Sequence, residues 1–273
     1  MSLAGVAKET VAIVEVGAYV APSGQRRDLR DAIDHAVAGT RLYRPDEAAA
    51  VLARVRTGQG APRIEATAET TAAAARRLVE REGVAEVAAL NFASAKNPGG
   101  GFMGGAKAQE EDLARCSALV HCQMTRRDYY DANRACESML YTDHLIYSPR
   151  VPFFRDDRLD LLEQPFLCSV VTAPAPNAGE AARKGEPRAA VSEALRRRAG
   201  MVLAIAEDGG ERALVLGAWG CGVFRNDPVE VAAVFADWLA SPRFAGSFDR
   251  VTFAIHDRSK DQSTLRAFQQ RFA

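Results

Sequence analysis

The sequence carries no net charge: 35 Lys and Arg balance 35 Asp and Glu. That removes the broad basic field with which proteins grip nucleic-acid phosphates, so no sequence-specific nucleic-acid binding is expected. A polyanionic ligand would have to be held by a local pocket instead. No apolar run approaches the ~18 residues that a membrane span needs, so no membrane partner is expected. The N-terminal stretch MSLAGVAKETVAIVEVG has neither the charged start nor the long apolar core of a signal peptide. Cysteine is sparse: Cys116, Cys122, Cys136, Cys168 and Cys221 form an odd set with no tight framework. This predicts free thiols in a reducing, cytoplasmic setting. His35, His121, His144 and His256 show no H-E-x-x-H pattern and no paired-cysteine spacing. Hence no metal and no cofactor are expected. Internal repeats and low-complexity linkers are missing too.

What the 273 residues do contain is apolar side chains, 48% of the total, enough for one substantial core. Helical patterns cover 28–38, an Ala-rich 67–82 closed by Gly83, about 109–124, 187–207 and 228–240. The last has a marked entry, with Asp227 as N-cap, Pro228 at N1 and Glu230 at N3. Strand-like runs are VAEVAALNFA, FLCSVVTA (166–173), RALVLGA (212–218) and VTFAI (251–255). HLIYS and VPFFR, on either side of Pro149, read as short strands or an irregular excursion. Strands alternating with helices predict a three-layer α/β domain with a largely parallel or mixed sheet. Ligands in such sheets sit beyond the carboxyl ends of the strands. The informative loops therefore follow residues near 93, 173, 218 and 255.

The first of these loops reads NFASAKNPGGGFMGGAKAQEEDLARC. Its glycines can adopt positive φ and bring main chain close to a ligand. They lead into a helix N-terminus, which favours anions. Glu110 and Glu111 fall in that first turn, where acidic residues also serve simply to complement the helix dipole. Gly99, Gly101 and Gly104 satisfy G-x-G-x-x-G, but Ser94 to Pro98 intervene before them and the helix begins only near Gln109, unlike a dinucleotide fingerprint. Gly105-Ala106-Lys107-Ala108 lacks the Gly-Lys pair and following hydroxyl of a phosphate-binding P-loop.

Gly99-Gly100-Gly101, seven residues, then Gln109-Glu110-Glu111 resembles the signature of bacterial-type poly(ADP-ribose) glycohydrolases, a macrodomain family. TAPAPN at 172–177 and GAWGCGVFRN at 217–226 extend the resemblance over most of 85–260. It implies one macrodomain-like catalytic domain over 1–273. The central mixed sheet would be flanked by helices, with 1–80 as a helical N-terminal accessory segment packed on it. It also implies cleavage of ribose–ribose O-glycosidic bonds with release of ADP-ribose. Glu111 would be the general acid and base, Glu110 would hold ribose hydroxyls, and Gln109 would support the loop. Asn97 would contact the ribose or its neighbours, its alternative being a turn residue before Pro98, and Gly99, Gly100 and Gly101 would lie against diphosphate and ribose. Adjacent helical residues point about 100° apart, so Glu110 and Glu111 do not readily flank a sugar from opposite faces, and one glutamate is expected to do both the acid and the base work.

In the second loop, the resemblance assigns Gly220, Cys221, Gly222, Val223 and Phe224 to the diphosphate and neighbouring groups. Asn226 and Arg225 are further phosphate candidates, although both suit a helix entry. Phe224 would cover a ribose or adenine, its alternative being core packing. Cys221 as a nucleophile is not supported, because no base is identifiable beside it. Thr172 and Asn177 would shape the adenosine side. The implied partners are poly(ADP-ribose) or ADP-ribosylated proteins, with ADP-ribose as product, and the protein itself is expected to be a monomer. Two alternatives stay open: a non-catalytic ADP-ribose reader and a hydrolase of protein-linked mono-ADP-ribose. A reader needs only the glycine loops, so the two glutamates favour the enzyme.

Overall fold

A computed structural model describes residues 1–55 and 58–273. Apolar residues alternate along short runs, and the alternation builds a sheet covered on both faces. The strands are β1 (Ala18–Val20), β2 (Arg26–Asp28), β3 (Arg41–Tyr43), β4 (Arg63–Thr67), β5 (Val87–Phe92), β6 (Leu145–Arg155), β7 (Leu161–Ala173), β8 (Ala213–Leu216) and β9 (Arg250–Ala254). β1 and β2 pair as a separate ribbon; the other seven form one sheet in the order β3-β6-β7-β5-β8-β9-β4. β7, β5, β8, β9 and β4 run parallel, and β6 is antiparallel to its neighbours β3 and β7. All five parallel strands thus end on the same edge of the sheet. Segment 1–80 contributes two edge strands, β3 and β4, to this sheet.

The helices are α1 (Leu3–Val16), α2 (Arg30–Gly39), α3 (Pro45–Leu52), α4 (Thr71–Arg76), α5 (Gln109–Cys116), α6 (Leu119–Met124), α7 (Arg127–Ala135), α8 (Ala178–Arg183), α9 (Arg188–Asp208), α10 (Pro228–Leu239) and α11 (Ser263–Arg271). Two cores result, one on each face. On β5, Ala88 and Leu90 join Leu195, Val202, Phe235 and Phe268 from α9, α10 and α11. Val87 and Ala89 point the other way, towards Ile33, Leu78, Leu113 and Leu119. β8 divides its residues in the same period-two manner. This is the mixed-sheet, three-layer fold that the alternation of elements predicts, with a helical N-terminal segment.

Two expectations need correction. The helix expected over 109–124 is broken: Ser117 has φ −147° and ψ 176°, and it bridges to Phe153 beside β6. Ser117 Oγ donates back to Leu113 O, and the Ala118 N–H donates to Pro152 O, so the chain leaves the helix to pair with the sheet. HLIYS and VPFFR are one strand, β6, interrupted by a register shift between Ser148 and Val151. Pro149 sits in that bulge, where its missing N–H costs no ladder bond.

One half-buried ionic cluster ties β4 to β9. Glu65 Oε1 accepts from Arg77 Nη2 at 2.8 Å, Arg250 Nη2 at 3.0 Å and Thr252 Oγ1 at 2.8 Å. Burial pushes the Glu65 carboxyl up, but these donors outweigh it and hold it at about 2. The folded value lies below the unfolded one. Stability from this group is therefore complete above about 4.5 and is lost as pH falls towards about 2. Calorimetry across that window is expected to show a falling melting temperature, with a shallower fall in Arg77→Met. An unchanged slope in the variant would remove the cluster from the acid response.

Candidate active site

The loops following β5 (93–108), β7 (174–177) and β8 (217–227) all emerge at the common carboxyl edge of the sheet. There α5 begins, and its first three residues make three different connections. The Gln109 carboxamide lies along β5: Oε1 accepts from the Phe92 N–H at 2.8 Å, and Nε2 donates to Leu90 O at 2.7 Å and Thr71 Oγ1 at 3.1 Å. It takes the place of a neighbouring strand where β5 runs beyond its pairing with β8, which ends at Ala89. Both amide donors are used within the protein, so the side chain anchors the helix start to the sheet.

Glu110 is 2% exposed. Its Oε1 accepts from Asn91 Nδ2 at 3.0 Å and Gln123 Nε2 at 2.9 Å; its Oε2 accepts from the Ser94 N–H at 2.6 Å. Burial raises the carboxyl to about 7, Glu111 adds to the rise, and the three donors oppose it. Glu111 turns towards the glycine loop, where its Oε1 accepts from the Gly101 N–H at 2.9 Å. Its other oxygen, Oε2, is buried and has no hydrogen-bond partner among the described residues. The two carboxylates leave the helix in different directions, yet both reach the space above Gly100. A Cβ there would lie 2.4 Å from Glu111 Oε1 and 3.2 Å from Glu110 Oε2.

The main chain of the first loop is occupied by its own structure. The Gly99 N–H donates to Gln123 Oε1 at 2.9 Å, Gly100 to Asn97 O and Gly101 to Glu111. Gly99 and Gly100 have φ of 66° and 58°, a region that favours glycine. What these three glycines can offer a ligand is close approach to Cα and carbonyl atoms rather than free N–H groups. Asn97 is exposed at the loop's outer turn. Behind the loop stands α1: Ala7 packs with Phe102 and Ala114, and Thr10 Oγ1 donates to Arg115 O at 2.7 Å.

The second loop has the opposite character. The N–H groups of Gly220, Gly222, Val223 and Phe224 make no hydrogen bond among the described residues. Gly222 is open on its Cβ side and Val223 is 85% exposed. Free successive N–H groups ahead of the α10 N-terminus form an anion-receptive concavity. Asn226 braces it: Nδ2 donates to Pro176 O at 2.9 Å and Gly220 O at 3.3 Å, which joins this loop to the one after β7. Gly220 is needed for that closeness, since a Cβ would meet Asn226 Nδ2 at 2.3 Å. Arg225 turns the chain with φ 58°, and Asp227 Oδ1 caps α10 at the Val229 N–H, 2.9 Å away. Burial pushes the Cys221 thiol up to about 12, which favours the neutral thiol over the thiolate at neutral pH.

Half-buried Phe224 faces Tyr141, the ring centroids 6.0 Å apart and tilted by 43°. Sequence reasoning missed Tyr141, which lies on an irregular segment before β6. It is set there by Arg198, fully buried on α9: Nη1 donates to Pro174 O at 2.7 Å, Nη2 to Leu140 O at 3.0 Å, and Nε to Asp143 at 2.9 Å. Asn177 caps α8 and links to Met139, and Thr172 Oγ1 accepts from Asn91. Asn91, Ser94 and Gln123 were also missed. Asn91 alone had a signal, being a polar residue at an inward position of an apolar strand. Among the described residues, no three His, Cys, Asp or Glu side chains form a group that could hold a metal ion.

The carboxyl edge of this three-layer α/β sheet thus carries a carboxyl pair and a set of N–H groups that are unpartnered among the described residues. Residues 7–156 match the family described as microbial-type PARG, catalytic domain. The crystal structure of poly(ADP-ribose) glycohydrolase from Thermomonospora curvata superposes with a TM-score of 0.94 at 47% identity, covering 99% of each chain. The same enzyme bound to the inhibitor ADP-HPD gives 0.92 at 48%, again over 99% of both. The enzyme from Deinococcus radiodurans in complex with ADP-ribose gives 0.82 at 49%, covering 88% of this chain and 96% of that one. None of the curated proteins matches the chain. The chain belongs to the microbial-type poly(ADP-ribose) glycohydrolase family.

Proposed function

We propose that the chain hydrolyses the ribose–ribose O-glycosidic bonds of poly(ADP-ribose) and releases ADP-ribose, with Glu111 as general acid and base. The observation that carries this reading is the Glu111 carboxyl itself. One oxygen is fixed by the Gly101 N–H, while the other is buried, unpartnered and at the ligand-binding edge. A proton on Oε2 can pass to the departing ribose hydroxyl as the bond breaks through an oxocarbenium-like state. The resulting carboxylate then takes a proton from the attacking water, and the acid is restored. Glu110 Oε1 already accepts two bonds, whereas Oε2 accepts one from Ser94 and faces the space above Gly100. Oε2 is thus the oxygen that receives a ribose hydroxyl. The free N–H groups of Gly220, Gly222, Val223 and Phe224 hold the diphosphate, with Cys221 and Asn226 shaping the turn. Phe224 and Tyr141 supply the aromatic side of the pocket.

In this reading residues 1–273 act as one catalytic domain and as a monomer. No helix among the described residues is long and apolar enough to cross a membrane. The free cysteines favour a reducing, cytoplasmic setting. The test supplies purified protein and a chelator with two substrates in parallel: poly(ADP-ribose) chains and a protein bearing single ADP-ribose units. Release of ADP-ribose from chains only is the expected result. Binding without release would make the chain a reader, and release from single units would make it a mono-ADP-ribosyl hydrolase.

A further inference from the structure

Gln123 makes two contacts at once that no other side chain of the site makes. Its Oε1 accepts the Gly99 N–H at 2.9 Å, and its Nε2 donates to Glu110 Oε1 at 2.9 Å, with a longer contact of 3.5 Å to Thr172 Oγ1. It is fully buried on α6. A backbone N–H can only donate, so Gly99 dictates that the carboxamide oxygen faces the loop. The NH₂ group must then face Glu110. Asn91 Nδ2 donates to the same oxygen from β5 at 3.0 Å. With two donors on Oε1, that oxygen has no room for a proton, and the Ser94 N–H donates to the other.

We propose that Gln123 is a positioning residue for the glycohydrolase reaction: one carboxamide fixes Glu110 as an acceptor and locks the Gly99–Gly101 turn against the Glu111 carboxyl. The proposal rests on the reading in which Glu110 works ionised beside Glu111. The turn is pinned at three points by the catalytic helix and its neighbour: Ser94 by Glu110, Gly99 by Gln123 and Gly101 by Glu111. Loss of Gln123 frees the middle pin and withdraws one donor from Glu110 together. The other titratable groups facing Glu110 are Glu111 on α5 and the buried hydroxyls of Tyr129 and Tyr130 on α7. Burial holds both tyrosines far above working pH, so they stay neutral. Asn91 and Thr172 complete the surroundings and do not titrate. Glu110 is raised to about 7 by burial against its three donors, so its ionisation is finely balanced.

Gln123→Met keeps the shape and deletes both hydrogen bonds. Withdrawing a donor disfavours the carboxylate and raises the folded pKa of Glu110. The acidic limb of the kcat–pH profile is therefore expected to move to higher pH by about one unit or more, the size of one bond to a charged group. Above the limb, kcat should level off below wild type because the Gly99 pin is gone, and KM should stay within about twofold because the diphosphate loop is untouched. Asn91→Ala, which removes the other donor to the same oxygen, must move the limb in the same direction; it serves as the test if Gln123→Met does not fold. The Glu110 titration is also followed by carbon-13 NMR of its carboxyl in both proteins. An upward move of that titration supports the proposal. If it moves while the activity limb does not, the assignment to Gln123 stands and the use of Glu110 in turnover fails. A uniform loss of kcat at every pH with an unmoved titration would show only a packing role and overturn it.

Discussion

Glu111→Gln is expected to lower kcat by about 10²- to 10⁴-fold, the usual range for loss of a general acid or base. Binding of ADP-ribose should remain within a few-fold of wild type. The amide is the informative replacement because of how Glu111 is held. Its Oε1 accepts the Gly101 N–H, and an amide oxygen can do the same, so the loop keeps its third pin. What changes is the buried, unpartnered Oε2. An NH₂ group there cannot deliver a proton to a leaving ribose hydroxyl or recover one from water. Glu111→Ala removes the same chemistry but also leaves the Gly101 N–H without its acceptor. It should therefore lose at least as much rate and some loop order. Steady-state release of ADP-ribose, paired with calorimetric binding of ADP-ribose, checks both. Retention of kcat within tenfold in the Gln variant would move the proton-transfer role away from Glu111.

The inner strands β5, β7, β8 and β9 and the helices α2, α9 and α10 were legible because their signals are local, whereas the edge strands β3 and β4 and the helices α1, α3, α7, α8 and α11 were not anticipated. Asp227 and Pro228 mark the α10 entry, and the structure shows the Asp227 cap in place. The alternation along VAALNF appears as two faces of β5 serving two cores. The Gln-Glu-Glu run stood out by its spacing from the three glycines. What the sequence hid was its surroundings. In an unbroken helix, Glu110 and Gln123 would be about 20 Å apart along the axis, at 1.5 Å per residue. The break at Ser117 folds α6 back so that the two side chains meet at 2.9 Å. That break depends on pairing with Phe153, 36 residues further on, which no window on residues 109–124 contains. Tyr141 is similar, since its place beside Phe224 is set by Arg198 on a distant helix. The contrast between the loops was also invisible. Both are glycine-rich in sequence, yet the first uses its N–H groups to hold carboxyls and loop, while the second leaves four without a partner among the described residues.

That contrast gives Gly100→Ala its expected result: a loss of activity much larger than the added methyl suggests. Gly100 sits at φ 58°, where an L side chain costs about 1–2 kcal/mol. The steric effect adds to this. The new Cβ would lie 2.4 Å from Glu111 Oε1, closer than real Cβ atoms come, and 3.1 Å from its Cδ, a tight contact. Glu110 Oε2 at 3.2 Å blocks retreat on the other side. Either Glu111 leaves the Gly101 N–H or the turn shifts and strains the Gly99 bond to Gln123, and both displace the reacting carboxyl. Displacement of about 1 Å suffices for a rate loss on the order of 10²-fold, so kcat should fall by at least that much. Gly104→Ala, in the same loop with no atom within 4 Å of its Cβ, is the matched control and should behave like wild type. Melting curves recorded with the kinetics separate a misplaced carboxyl from a failed fold. Equal activity in the two alanine variants would mean that the space between the carboxylates is not where the substrate reacts.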